Sequence, residues 1–200
     1  MARIVQTDDD LTVDAPPLRL TFRWDGRRWS HALDVGGRVV ASSVEFEPER
    51  DDPDRPVSPA YQQLTGQEEP GVARALLVGQ WGPHHGSAVF SASDGPEGVV
   101  VEADVAVRSR TPLQSLAATY LAGFTSGDLA DADPGGVVWD LAGTCSGRLR
   151  FEPGGPSCRV SLAEAGRAAT RVQASAELAP GAANQRLLYR WVWLPAGTPP

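Results

Sequence analysis

The chain has no lysine: all 18 of its basic residues are arginine. Isoleucine, asparagine and methionine each occur once, as Ile4, Asn184 and Met1, beside 21 glycines and 17 prolines. Residues with AT-rich codons are scarce and those with GC-rich codons abound, which points to a GC-rich bacterial coding sequence. Arginine is then the default cation, so an arginine is not by itself a sign of phosphate recognition.

The other absences each exclude something. No apolar run approaches the roughly 18 residues of a membrane span. The start, MARIVQTDDDLTVD, lacks the basic and apolar regions of a secretory signal. Cysteine occurs only at Cys145 and Cys158, and a cytoplasmic protein is expected. There is no GxxxxGK[ST], no GxGxxG opening a helix, no CxxC, no HExxH and no EF-hand spacing, so no cofactor or metal is expected. A net charge of -7 argues against nucleic acid and anionic membrane as partners.

What is present is a strand pattern. Apolar residues make up 42% of the chain, enough for a packed core, and the dominant hydrophobic period is two. In LRLTFRWDGRRWSHALDV (18–35), a turn at Asp25-Gly26 puts Leu18, Leu20, Phe22, Trp24, Trp29, His31 and Leu33 on one face, whether the turn is short or long. A second hairpin turns at Gly36-Gly37. The acidic, proline-rich stretch 47–60 (EPERDDPDRPVSPA) reads as a solvated surface loop. ARALLVGQW, SAVFSAS and GVVVEADVAVRSR then form a meander joined by GPHHG and DGPEG. TPLQSLAATYLAGF reads as either a short helix begun by Thr111-Pro112 or a strand, and TSGDLADADPGG as a loop. VVWDLAG, GRLRFEP, CRVSLAE, TRVQASAEL and QRLLYRWVWLP are five further strands, the second and third joined as a hairpin at Pro153-Gly154. The expectation is an all-β fold, a single domain over 1–200: one large antiparallel β-sandwich or barrel of about a dozen strands with at most one short helix.

Few residues carry chemistry. His84 and His85, in GQWGPHHGSAVF, are placed in the turn, where two imidazoles could converge. A metal site needs three or four ligands, however, and the third histidine, His31, is far away in sequence. His31 sits on the apolar face, and is the residue that would project into a cavity if the fold encloses one. Tyr189, Trp191 and Trp193 share a face with Leu187, as core rather than as an exposed stacking platform. GTCSG around Cys145 matches a nucleophile-elbow pattern, but it leads into a strand instead of a helix, and every histidine lies upstream. In the expected hairpin the two cysteines are offset by four residues, too far for a disulfide. The acidic clusters at 8–10 and 51–52 read as solvated charge.

Together these features favour a non-catalytic domain binding a small molecule or a protein partner, with Trp81, His84, His85 and His31 as its contact residues. One rival is a carbohydrate-directed enzyme pairing His84 or His85 with a carboxylate assembled in space. Another is a structural subunit of a homo-oligomer, with 47–60 as an arm on its neighbour.

Overall fold

The computed structural model describes residues 1–7, 9–45, 52–96, 98–123, 129–133, 135–141, 145–164 and 170–197. Among them, sixteen strands form two eight-stranded antiparallel sheets, with no helix. The first sheet runs β1 (Arg3–Gln6), β2 (Asp10–Ala15), β3 (Leu18–Trp24), β4 (Trp29–Val35), β5 (Arg38–Ser43), β10 (Ala117–Ala122), β15 (Thr170–Ala176), β14 (Cys158–Glu164). The second runs β6 (Gln63–Glu69), β7 (Val72–Trp81), β8 (His84–Asp94), β9 (Val99–Ser109), β16 (Asn184–Pro195), β13 (Gly147–Pro153), β12 (Gly136–Leu141), β11 (Leu129–Asp133). β2 lies across from β7 and β8, and β15 across from β16. The molecule is a sandwich of two stacked sheets, not a closed barrel.

The alternation read from sequence builds the core between them. Leu18, Leu20, Phe22 and Leu33 from one sheet meet Val99, Val101, Ala103, Val105, Leu187, Tyr189, Trp191 and Trp193 from the other, all buried in one apolar cluster. Removing each large side chain from water contributes about 1.5–3 kcal/mol. That is why the Tyr189–Trp191–Trp193 stripe is core. The loop at Asp25 is the longer alternative: Trp24 pairs with Trp29 and Phe22 with His31. Its tip leaves the sandwich, so Trp24, expected inside, is exposed.

Several expectations are corrected. Residues 111–116 lie outside any helix or strand, and 117–122 form β10. The presumed loop at 125–136 contains β11. Three strands, β1, β2 and β6, add to those expected from the sequence pattern. The β13–β14 hairpin does not exist, because β13 pairs with β12 and β16 while β14 pairs with β15 in the other sheet. Cys145 and Cys158 are indeed free thiols, but for a different reason from the offset argued on that hairpin.

Candidate functional site

The reading of GQWGPHHG as a turn carrying two histidines is also corrected. Only Gly82 and Pro83 turn; His84 opens β8 opposite Trp81, and His85 lies opposite Gln80. Adjacent strand residues face opposite sides. His84 is therefore fully buried and His85 exposed, and the two imidazoles do not converge.

His84 has both ring nitrogens engaged. Nδ1 is hydrogen-bonded to Ser109 Oγ at 2.9 Å, at the end of β9, and Nε2 to Asp54 Oδ1 at 2.9 Å. Thr111 Oγ1 donates to the same Asp54 oxygen at 3.3 Å. Trp81 donates its indole N–H to the Pro53 carbonyl at 3.2 Å and lies against the His84 ring. The expected contact residues Trp81 and His84 thus act on the chain itself. They clamp the segment that begins at Pro53.

The sequence pattern makes that segment a solvated loop, and the structure corrects this. Residues 57–60 are buried, and 47–51 fall outside the described residues. Thr119, on β10, donates its N–H to Ser58 Oγ and its hydroxyl to the Val57 carbonyl. Trp29, on β4, donates its N–H to the Tyr61 carbonyl, and Gln62 donates to Val78 on β7. The segment plugs one end of the sandwich by bonding both sheets. Two glycines that pair across β7 and β8, Gly79 and Gly86, make room for it. A Cβ at Gly79 would fall on the Ala60 carbonyl oxygen and 2.6 Å from Tyr61 Cα, and one at Gly86 would lie 2.5 Å from the Trp81 ring.

The clamped segment forms one wall of a groove of about 470 Å³. Asp52, Arg55, Pro56 and Val57 face Ser115, Ala117, Gln173 and Ser175 across it. Arg55 Nε donates to Gln114 Oε1 at 2.7 Å, which fixes the rim. The volume falls within the range of small-molecule sites.

His31 lies deeper, ringed by Phe22, Phe90 and Tyr120 at centroid distances of 4.8–5.3 Å. Its Nε2 is hydrogen-bonded to Tyr120 Oη at 2.8 Å, and Tyr120 Oη to Tyr189 Oη at 2.7 Å. Its Nδ1 faces Glu45 Oε1 at 3.6 Å. Burial lowers His31 to about 3 and raises Glu45 to about 7, while the Ser43 hydroxyl and the Arg28 guanidinium pull Glu45 back down. Burial likewise pushes the Tyr61, Tyr120 and Tyr189 hydroxyls above their ordinary range.

Sequence reasoning missed Asp54 and Glu45, the two carboxylates that meet histidines, and the groove residues. Asp54 is 30 residues from His84 in the chain, and no local spacing reports such a pairing. Among the described residues, no three His, Cys, Asp or Glu side chains group as metal ligands, and no helix is long and apolar enough to cross a membrane. No family model and no curated protein matches the chain.

Proposed function

We propose that this is a cytoplasmic, non-catalytic binding module whose ligand is a small molecule seated in the groove between 52–57 and the β10–β15 face. The observation that carries the reading is the groove itself, with one wall pinned by His84 and Trp81. Pro56, Val57 and Ala117 offer apolar surface on its two walls. Ser115, Gln173, Ser175, Asp52 and Arg55 supply donors and acceptors around it. A pre-formed wall spares the ordering cost of binding. The ligand class that fits has a compact apolar body and several hydrogen-bonding groups at its edge.

The test is a saturation-transfer NMR screen of a small-molecule library against the wild type and Ser115→Trp, which fills the groove. Hits at millimolar concentration that vanish in the variant support the reading. Hits that persist unchanged in the variant, or no hits in the wild type, overturn it.

A second reading, an enzyme, has one observation in its favour: Ser109, His84 and Asp54 are hydrogen-bonded in series, which resembles an activated nucleophile. Three features weigh against it. The His84 ring is sealed from solvent. The backbone N–H groups of Ser109 and Arg110 already bond Ala183 and Pro83 carbonyls, so neither is open to stabilise an oxyanion. The aspartate also anchors a plug. The expected result is no mass adduct on Ser109 after incubation with a fluorophosphonate probe, and stoichiometric labelling lost in Ser109→Ala would instead establish the enzyme. The homo-oligomer reading has less in its favour, because residues 57–60 of its arm pack into their own chain.

A further inference from the structure

Two buried polar atoms sit 3.6 Å apart with no hydrogen-bond partner, His31 Nδ1 and Glu45 Oε1. The gap is too long for a hydrogen bond between them as placed, and a third such atom, Tyr61 Oη, belongs to the plug beside them. Buried polar atoms without partners are uncommon and call for an explanation. Three segments meet here. Glu45 lies just past β5, and its carbonyl accepts from Arg28 Nη1 in the β3–β4 loop at 2.9 Å. His31 is on β4, its N–H donating to Ser43 Oγ at 2.8 Å. Tyr61 belongs to the plug, held by the Trp29 N–H.

We infer that Glu45 keeps its proton inside the fold and donates it to His31 Nδ1, forming a latch that opens locally as the solution approaches neutral pH. The inference stands apart from the groove reading. A neutral carboxyl supplies the donor that a neutral imidazole lacks at Nδ1, and once the 3.6 Å gap closes to hydrogen-bond distance the chain Glu45–His31–Tyr120–Tyr189 runs through the core without a buried charge. A carboxylate there is met by the Ser43 hydroxyl and the Arg28 guanidinium, but burial outweighs both. Around Glu45 are Ser43 on its own segment, His31 on β4, and Arg28 and Asp25 in the β3–β4 loop, of which Arg28 attracts and Asp25 repels. Tyr61 of the plug, Tyr120 on β10 and Tyr189 on β16 complete the surroundings, each a hydroxyl held neutral by burial.

The sign of the effect separates local from global opening. Local opening hydrates Glu45 alone and returns it from about 7 to its ordinary value of 4.5. Between those values opening releases a proton, so the opening constant rises about tenfold per pH unit, and below 4.5 the latch gains nothing more. Global unfolding exposes both groups. His31, lowered from 6.5 to about 3, then takes up a proton between those values while Glu45 releases one. From 4.5 to 6.5 the two cancel, and the pair leaves global stability flat.

Hydrogen exchange reads this directly. The Val44 N–H bonds the Thr119 carbonyl beside the latch, and the Trp29 N–H bonds Tyr61. Corrected for intrinsic rates, protection at Val44 and Trp29 is expected to fall about fortyfold from about pH 5 to about pH 7. Glu45→Gln, which keeps a donor and cannot ionise, holds it flat. Equal pH dependence in wild type and variant overturns the latch. Should the variant fail to fold, the Glu45 carboxyl ¹³C shift of the wild type near pH 5.5 decides: a protonated carboxyl supports the latch, and an ionised one overturns it.

Discussion

Gly79→Ala is expected to cost about 3 kcal/mol of stability, the upper end for overpacking a buried site. For a chain of this size, each kcal/mol lowers the melting temperature by about 2–4 °C, so a fall of about 6–12 °C is expected. Gly79 lies within β7 and has no positive φ, so alanine adds no backbone strain and the substitution tests space alone. The obstacle is backbone: the Ala60 carbonyl oxygen and Tyr61 Cα lie where the new methyl must go. They are held by the Thr119 bonds to Val57 and Ser58 on one side and the Trp29 bond to Tyr61 on the other. The plug must therefore lift or the strand must bend. Gly86→Ala is the control, since its methyl meets the Trp81 ring, a side chain that can turn away. Thermal denaturation of both variants should show Gly79→Ala clearly lower. Equal, small losses in the two would mean that the plug is loosely seated and that the groove wall is not pre-formed.

The same glycines show where sequence reading worked and where it stopped. The faces of β3, β4, β9 and β16 were legible because one face of each is buried, and a period of two cannot be shifted without turning the apolar set outward. Ala73, Ala75, Leu77 and Gly79 continue that pattern on β7. The pattern identifies the inner face but does not say why it is lined with small residues. At Gly79 the reason is the chain that crosses it from 60 to 61, and crossings between distant segments leave no local period. β13 and β14 fail in the same way: a short Gly-Pro connection can fold a hairpin or carry the chain from one sheet to the other. GRLRFEPGGPSCRVSL does the second.

The histidines repeat the lesson. His31 was legible as an inward residue because its strand is long and regular. His84 was not, because Gly82-Pro83 alone makes the turn and moves both histidines onto the strand. Their partners Glu45 and Asp54 come from positions with no regular structure of their own. Both stand in or beside the acidic, proline-rich stretch, where a carboxylate looks like solvated charge until the fold brings a buried imidazole to it.

Tyr120→Phe is the second large effect, expected to cost about 3 kcal/mol against about 1 kcal/mol for Tyr189→Phe. Tyr120 Oη stands between His31 Nε2 and Tyr189 Oη, at 2.8 and 2.7 Å. Its removal deletes two buried hydrogen bonds and leaves a buried ring nitrogen and a buried hydroxyl without that partner. The Tyr189 hydroxyl stands at the end of the chain, so its removal deletes one bond while Tyr120 still serves His31. An unsatisfied buried group costs more than a lost bond alone, so the order of the two variants is set by position in the chain rather than by ring size. Ring packing is retained in both, since Phe keeps the edge contacts of Tyr120 with Phe151 and Trp191. Urea denaturation at unchanged slope gives both values. If Tyr120→Phe is no worse than Tyr189→Phe, then His31 Nε2 does not depend on the hydroxyl and the core chain is not a connected unit. If the order holds, the polar chain is a stabilising element of the core, and Glu45 at its outer end is the place where pH reaches it.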